Sequence, residues 1–289
     1  FSQPGTFSGG KNMKYILYPL TMVCAYGALF VLQKVGWPER YISYTIGIAV
    51  ALFVTLMEWR WPYRKEWQPT SKDIINDILF MIFVQIVLPV FLTFSVHQFL
   101  TRYQLSFELW PRHWPLLVQT ALMLVGAEFF RYFLHRLAHS WIPLWRLHAV
   151  HHAPDKVYWM NTGRFHPLEK SIQFCFDALP FLILGVSQEV LASYFVFYSV
   201  NGFFQHCNID VRLGILNYFV SGPELHRWHH SKRMKEANNN FGNNLILWDI
   251  IFGTRFLPKE RSVERLGISD KGYDRNFLEL MKAPFAKVE

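Results

Sequence analysis

The chain has 289 residues and a formal net charge of +8, and 52% of its residues are hydrophobic and 18% aromatic. The apolar residues come in blocks, which favours an integral membrane protein, and the basic residues do not form the aromatic-interleaved stripe that is typical of nucleic-acid binding. The three cysteines, Cys24, Cys175 and Cys207, are too scattered for a disulfide framework or a thiolate metal site.

Four long apolar segments predict membrane-spanning helices, because each is close to the length that crosses a hydrocarbon core of about 30 Å. They cover residues 15–32, 41–57, 78–101 and a stretch from near residue 114 through Gly126 to Glu128. Two shorter apolar segments, 171–187 and 190–205, follow, and Asp177 and Pro180 interrupt the first. We therefore predict an all-α integral membrane protein with four transmembrane helices, a shorter, shallow or re-entrant helical hairpin, and a cytosolic helical cap.

Composition divides the chain into three parts. Residues 1–14 lack an initiator Met and predict a disordered, tag-like N-terminus. Residues 15–256 predict a single membrane-embedded domain, and residues 257–289 predict a charged cytosolic tail.

The Lys and Arg residues predict the orientation in the membrane. With the N-terminus inside, the inner segments hold 25 of the 29 basic residues, and only Lys34, Arg40, Arg102 and Arg112 lie outside. Because basic residues are enriched in cytosolic loops, we predict that the inner loops face the cytosol. The membrane would be a bacterial inner membrane, or the endoplasmic reticulum in a eukaryote.

Ten of the twelve histidines lie between residues 135 and 230, mostly in clusters with helical spacing. They are the pair His135 and His139, the triplet His148, His151 and His152, the single His166 and His206, and the triplet His226, His229 and His230. Helical spacing brings imidazoles onto one face, and the topology brings every cluster to the inner membrane edge. We therefore predict that these histidines bind metal.

The two single histidines carry weaker signals. His206 ends a buried apolar segment at the inner edge, which favours a ligand. His166 precedes Pro167, so it fits a ligand and the N-cap of the next helix equally well. Further along, Ser221 and Glu224 predict a capping box that starts a helix through the last triplet.

Three polar residues are candidates to support the ligands during catalysis. Glu128 shares a helix face with the first histidine pair, where it either orients a ligand or pairs with Arg131. Asn201 and Asn208 flank His206 and are placed to bond a ligand or a bound water.

The number of histidines predicts two metal ions. A zinc peptidase motif has Glu where this chain has Arg136, and a hydrolytic zinc site uses only three protein ligands. Nine or ten imidazoles instead suit two ions with four or five ligands each. Imidazole binds Fe, Zn, Cu and Ni, so ligand type leaves the metal open, but a membrane edge suits redox chemistry on an apolar chain or ring. Because protonated imidazole cannot bind metal, we expect metal loading to fall below about pH 6.5.

The three histidine boxes, at 135–139, 148–152 and 226–230, resemble those of the fatty acid hydroxylase/sterol desaturase superfamily. Arg-Phe-His-Pro-Leu-Glu at 164–169 and Asn-Asn-Leu-Ile-Leu-Trp-Asp-Ile-Ile-Phe-Gly-Thr at 243–254 share this resemblance, which covers about residues 75–256. It implies a histidine-liganded centre of two Fe ions, which Zn can replace in a purified sample, and O2 as co-substrate.

The resemblance also implies the reaction and the partners. Two electrons would come from an external donor of the ferredoxin, cytochrome b5 or reductase type, docked on the cytosolic face. The family acts on fatty-acyl, sphingolipid, sterol, alkylglycerol and ornithine-lipid substrates. We expect hydroxylation of an unactivated C–H bond of a membrane lipid, with lipid or sterol desaturation as the alternative.

Two other classes of membrane protein remain as alternatives. A metal transporter should have ionisable residues along a path through the membrane, and the first three predicted helices have almost none. A bis-histidine haem electron carrier should pair histidines across helices near the middle of the bilayer, whereas these histidines lie at one edge.

Overall fold

The computed structural model describes residues 13–105, 107–273 and 275–286. Within these ranges the secondary structure is helical, with three isolated bridges and no strand. The prediction of an all-α protein is therefore confirmed. The predicted disordered N-terminus lies outside the described residues, except for Met13 and Lys14, which begin the first helix.

Four helices are long and apolar enough to cross a membrane, in agreement with the four predicted spans. They are α1 (Met13–Lys34), α2 (Glu39–Arg60), a 33-residue helix (Ser71–Tyr103) and α5 (Leu116–Ala138). The third consists of α3 (Ser71–Leu79), a π-helical stretch (Phe80–Val87) and α4 (Leu88–Tyr103). Large apolar side chains such as Val23, Leu52 and Phe91 are exposed on these helices, as expected of surfaces that face lipid.

Pro89 accounts for the π-helical stretch. It has no N–H to donate to the Gln85 carbonyl, and its ring would clash with that carbonyl in a regular α-helix. The backbone instead forms hydrogen bonds between residues five positions apart, so that the Leu88 N–H donates to the Phe83 carbonyl. In the same stretch the Gln85 side chain donates to the Gly163 carbonyl at 3.1 Å, which joins this helix to the 3₁₀ turn at 159–163.

Four helices follow α5 in place of the predicted loop and two-segment hairpin. They are α6 (Ile142–His152), α7 (Pro167–Asp177), α8 (Leu179–Ile183) and α9 (Gln188–His206). The first predicted arm is broken at Ala178, because Pro180 prevents α7 from continuing. The second arm is α9, which lies at the centre of the bundle, with Val196, Val200 and Phe204 fully buried in the cluster formed with α1 and α2.

The remaining helices form a cap on the end of the bundle where α1 begins and α2 and α5 end. They are α10 (Pro223–His229), α11 (Met234–Ala237), α12 (Leu247–Ile251) and α13 (Phe277–Leu280). Gly222 is the N-cap of α10, and the Glu224 carboxylate accepts a hydrogen bond from the Leu213 N–H at 2.7 Å. The predicted capping box is therefore wrong, because Glu224 holds the preceding loop instead of the helix start.

The segment predicted as a charged tail packs onto this cap over its described part. Val263 and Leu266 are buried in a cluster with Trp228. Leu280 is fully buried in another cluster that includes Phe80 of the π-helical stretch. The charge pattern did not reveal these contacts, because the apolar residues are few and are separated by polar ones.

Candidate metal centre

Nine histidines lie in two groups beneath the cap. Centre A consists of His135, His139, His148, His152 and His229, and centre B consists of His151, His206, His226 and His230. Within each group, one ring nitrogen from every histidine lies within 4.8 Å of the others. Eight of the nine residues are buried and His135 is half-buried, so the groups lie inside the protein.

Each histidine triplet contributes to both centres. In α6 the residues one turn apart, His148 and His152, belong to centre A, and the remaining histidine belongs to centre B. The last triplet has the opposite order, with His226 and His230 in centre B and the remaining histidine in centre A. Residues at i and i+4 stack on a helix, while the residue at i+3 is rotated away from the i+4 position. The two centres are therefore adjacent and interleaved.

The Nε2 atoms within each centre approach one another closely. In centre A, Nε2 of His135 lies 3.0 Å from Nε2 of His148. In centre B, Nε2 of His226 lies 2.9 Å from that of His206 and 3.1 Å from that of His230. Imidazole binds a zinc-sized ion at about 2.0–2.1 Å, so two ligands at right angles around one ion lie about 3 Å apart. The distances fit one ion in each centre.

Outer hydrogen bonds orient five of the rings. In each of them Nδ1 faces an accepting oxygen, so Nδ1 carries the proton and Nε2 presents its lone pair to the centre. The pairs are His135 with the Phe241 carbonyl (2.7 Å), His139 with Oδ1 of Asn238 (3.1 Å), His148 with Oε1 of Glu169 (2.7 Å), His206 with Oδ1 of Asn161 (2.7 Å) and His229 with the Asn239 carbonyl (2.8 Å). Lone pairs that face each other this closely repel unless a cation lies between them, so the arrangement favours metal binding.

An unpartnered nitrogen and the surrounding rings also fit metal ions. Nε2 of His229 is buried without a hydrogen-bond partner among the described residues. A buried lone pair of this kind is costly unless it binds something. The rings of Trp145 and Phe241 pack on centre A, and Phe165 stacks on His151 with the ring centroids 4.3 Å apart. These aromatic side chains exclude water from the metal positions.

Burial keeps several of the imidazoles neutral. It lowers the pKa of His229 from 6.5 to about 3, with the nearby His148 adding to the effect. The pKa values of His151, His152 and His206 are also lowered well below 6.5, first by burial and then by neighbouring histidines. The rings of the folded chain therefore stay able to bind metal at a lower pH than the sequence alone led us to expect.

His166 is the predicted ligand that lies outside both centres. It is the N-cap of α7, where its Nδ1 accepts a hydrogen bond from the Leu168 N–H at 3.2 Å. Its Nε2 faces the Met281 carbonyl, also at 3.2 Å. Pro167 starts the helix and leaves the Leu168 N–H without an intrahelical partner, which explains why the side chain adopts the capping position.

Glu128 contacts the cap and not a histidine. Its buried carboxylate accepts hydrogen bonds from the backbone N–H groups of Asn243 and Asn244, the second at 2.8 Å. Arg131, the alternative partner, donates to Oδ1 of Asn243 at 3.1 Å. Both residues therefore hold the turn at 243–244. This turn follows Phe241, whose backbone carbonyl orients His135.

The two predicted asparagines also act at a distance from the imidazoles. Asn201 accepts a hydrogen bond from the Tyr18 hydroxyl at 3.0 Å, which joins α9 to α1. Asn208 exchanges two hydrogen bonds of 2.9 Å with the backbone of Arg64. Both residues are fully buried. They hold the bundle against the cap.

The side chains that do contact the ligands were not predicted. Glu169 belongs to the Arg-Phe-His-Pro-Leu-Glu stretch that carried the family resemblance, and this signal could have identified it. Asn238 starts a run of three asparagines that indicates only a turn. Asn161 lies in a short 3₁₀ turn, Trp159–Gly163, without a distinguishing pattern.

Comparison with known proteins identifies relatives of the chain. The fatty acid hydroxylase family matches residues 120–254. Ornithine lipid hydroxylase OlsE of Rhizobium tropici is 38% identical over 256 residues, which cover 86% of this chain and 75% of that protein. Alkylglycerol monooxygenase of Homo sapiens is 30% identical over 142 residues, or 48% of this chain and 31% of that protein. Methylsterol monooxygenase 1 of Gallus gallus is 26% identical over 194 residues, or 66% and 62%. No solved structure matches the chain significantly.

The region matched by the family includes both centres. It begins within α5, ends after α12, and contains all nine histidines of the two centres. The similarity to the R. tropici hydroxylase extends over most of both proteins. The chain therefore belongs to the fatty acid hydroxylase family of membrane oxidoreductases.

Proposed function

We propose that the protein hydroxylates an unactivated C–H bond of a membrane lipid, with two iron ions held at centres A and B. The reaction converts the lipid, O2, two electrons and two protons into the hydroxylated lipid and water. The observation that carries this proposal is the convergence of nine histidines, with their Nε2 atoms inward, into two adjacent groups. Iron bound there would supply the reductive activation of O2 that an unactivated C–H bond requires.

The chain's own residues prepare the site for this reaction. The histidines present neutral nitrogens, and Glu169, Asn161 and Asn238 hold three of the rings in orientation. The aromatic rings packed on the imidazoles limit the access of water, which protects a strongly oxidising site from side reactions. The apolar helices beside the centres give a lipid chain a route from the bilayer.

We favour a lipid with an amino-acid polar group as the substrate. The relative that matches over most of its length is named for ornithine lipid, whereas the relatives named for alkylglycerol and methylsterol match at lower identity or over a smaller share. The class of substrate is therefore supported by the similarity of the whole chain, and not of the histidine region alone.

An external donor would supply the electrons from the cytosolic side. The Lys and Arg distribution supports this orientation in a bacterial inner membrane. Lys232, Arg233 and Lys235 are exposed next to the loop whose Asn238 and Asn239 bind His139 and His229. An acidic donor of the ferredoxin, cytochrome b5 or reductase type would find complementary charge close to centre A.

Lipid or sterol desaturation at the same centres is the alternative oxidation. Geometry disfavours the two other classes. A haem would need its macrocycle between two axial imidazoles, and the Nε2 atoms of His135 and His148, 3.0 Å apart, leave no space for it. A metal transporter would need sites along the membrane, and the nine histidines are confined to one end of the bundle.

The test is the lipid composition of a bacterial host with and without the full-length protein, measured by mass spectrometry. A new lipid that is heavier by one oxygen atom supports hydroxylation. A new lipid that is lighter by two hydrogen atoms supports desaturation instead. Purified protein should contain two iron ions per chain. Metal-loaded protein that yields neither product with a chemical reductant and O2 would overturn the proposal.

Point variants connect this activity to the centres. His151→Ala and His229→Ala remove one ligand from centre B and one from centre A, and each should abolish turnover while the protein still inserts. His113→Ala is the matched control, because that histidine is exposed in the loop between α4 and α5. Its activity should equal that of the unmodified protein.

A further inference from the structure

Buried polar side chains form a column that leads from centre A into the bundle. Glu169, Gln173 and Asp177 follow one another at intervals of four residues on α7, so they share one face of that helix. Arg131 of α5 lies opposite, with its Nε 3.4 Å from Oδ1 of Asp177. All four residues are at most 8% exposed. We call these four residues the polar column.

The column begins at the metal centre. Oε1 of Glu169 accepts hydrogen bonds from Nδ1 of His148 at 2.7 Å and from Nε2 of Gln173 at 2.9 Å. Glu169 thus connects Gln173 to His148, a predicted metal ligand. A group bound along the column would lie beside centre A.

Three members of the column have an unused hydrogen-bonding atom. Within the part of the chain that the structure describes, Oε2 of Glu169, Oε1 of Gln173 and Nη1 of Arg131 have no hydrogen-bond partner, while Nε of Arg131 and Oδ1 of Asp177 form the ion pair. Leaving a buried polar atom unpaired costs about 1–3 kcal/mol, and more for a charged group. Three such atoms on facing helices therefore point to something that binds between them.

The charges of the column limit what that can be. Lys170 of the same helix is buried, and its Nζ donates to the Tyr198 hydroxyl at 3.1 Å. The two cations, Arg131 and Lys170, thus match the two carboxylates of Glu169 and Asp177, while the nearby carboxylate of Glu128 is held by the backbone N–H groups of Asn243 and Asn244. A ligand with a net charge would leave an uncompensated charge in an apolar interior. A ligand that carries both signs would not.

We propose that the polar column binds a zwitterionic polar group of the amino-acid type on the lipid substrate. The ammonium group would donate to the unused oxygen of Gln173 and to the carboxylate of Asp177, and the carboxylate of the ligand would accept from the guanidinium of Arg131, which suits a planar anion. This inference rests on the proposed lipid hydroxylation and adds the site that recognises the polar group.

The decisive measurement is binding, because it does not require turnover. Full-length, metal-loaded protein in phosphatidylcholine nanodiscs would be titrated with an ornithine lipid and with its carboxylate methyl ester, which is no longer zwitterionic. We expect the zwitterionic lipid to bind at least tenfold more tightly. Equal affinity for the two lipids would overturn the inference.

Two variants test the residues. Gln173→Leu removes one acceptor with little change in volume, and the double variant Arg131→Met with Asp177→Leu removes the ion pair without leaving a lone buried charge. In both, the preference for the zwitterionic lipid should fall tenfold or more. Gln173→Leu leaves the contacts of the 243–244 turn intact, so its iron content should stay at two per chain. Asp210→Asn is the control, since Asp210 pairs with Arg212 in the loop after α9, and should keep the preference.

The remaining outcomes are also decisive. If both variants keep the preference, or if Gln173→Leu loses its iron, the column is structural and the inference fails. Free ornithine that binds as tightly as the lipid would assign the site to an amino acid and overturn the lipid assignment. Selective lipid binding without any oxidised product would instead contradict the proposed function and leave the recognition site in place.

Discussion

Oε1 of Glu169 lies 2.7 Å from Nδ1 of His148, and among the described residues this is the one contact between a carboxylate and a histidine of the two centres. The other oriented imidazoles face amide or backbone oxygens, which carry no charge. A carboxylate increases the basicity of the imidazole it holds and so strengthens the bond to a metal. His148 is thus distinguished from the other eight histidines by its environment.

We predict that Glu169→Gln weakens metal binding at centre A. The variant keeps an accepting oxygen but loses the negative charge, and loss of an outer partner of this kind typically reduces metal affinity by about 10–100-fold. Competition with a chelator of known affinity measures the change. Glu189→Gln, at an exposed position in the first turn of α9, is the control and should bind metal normally. Unchanged affinity in Glu169→Gln would remove the carboxylate from this role.

We predict that Asn161→Leu acts on centre B alone. Its Oδ1 accepts the proton of His206 Nδ1 at 2.7 Å, and leucine leaves that ring without a fixed orientation. The iron content should fall from two ions per chain towards one. Asn208→Ala should keep both ions and lower the stability by about 1–3 kcal/mol, because Asn208 bonds the backbone of Arg64 and not a ligand. Equal metal loss in both variants would contradict this division.

We predict that the metal-free protein becomes less stable as the pH falls. The pKa of His229 is about 3 in the folded chain and near 6.5 when the chain unfolds. Between these values the unfolded chain binds more protons, so stability is complete above about pH 6.5 and declines towards pH 3. Chemical denaturation in detergent at pH 7 and pH 5 measures the change. Equal stability at the two pH values would show that the buried rings take up protons without unfolding.

We predict that Leu280→Ala destabilises the cap. The side chain is fully buried against Phe80, and truncation of a buried leucine typically costs about 2–5 kcal/mol. Leu278→Ala is the matched control, because Leu278 is 69% exposed. Thermal unfolding should distinguish the two variants clearly. Similar transitions would mean that the last part of the chain does not contribute to the folded core.

We predict that the hydroxyl group is introduced close to the polar end of the lipid. Gln173 and Asp177 follow Glu169 by one and two helical turns, and Glu169 contacts a ligand of centre A. A polar group held one to two helical turns from Glu169, about 5–11 Å, places the oxidised C–H bond in the part of the lipid nearer the polar group and not at the far end of an acyl chain. Fragmentation of the product in a mass spectrometer locates the oxygen. A hydroxyl near the end of the acyl chain would contradict the recognition of the polar group by the column.

The spacing of the histidines was sufficient to predict that they gather, and the reason is local. Residues four apart on a helix stack whatever the rest of the protein does, and hydropathy places the helix ends at one membrane edge. In each triplet the middle histidine, His151 or His229, belongs to a different centre from the other two, and this division could not be predicted. It depends on how α6 and α10 face each other, which no local pattern records.

The supporting residues were less predictable for the same reason. Asn201 and Asn208 are near His206 in sequence, but their side chains point to α1 and to the loop after α2. Asn161 contacts His206 from 45 positions away. Contacts of this kind depend on tertiary packing. The capping prediction for Glu224 failed in the same way, because a nearby loop offered the carboxylate better donors.

The hydrogen bond between His135 and the Phe241 carbonyl joins positions 106 residues apart. A ribosome synthesises a polypeptide from its N-terminus to its C-terminus. The helix α5 is therefore made well before Phe241, whose backbone carbonyl orients His135. Four of the nine imidazoles, from His206 onward, are also synthesised after α5. Centre A therefore cannot take its final form before residue 241 has been synthesised, so metal insertion there would come late in the biogenesis of the enzyme.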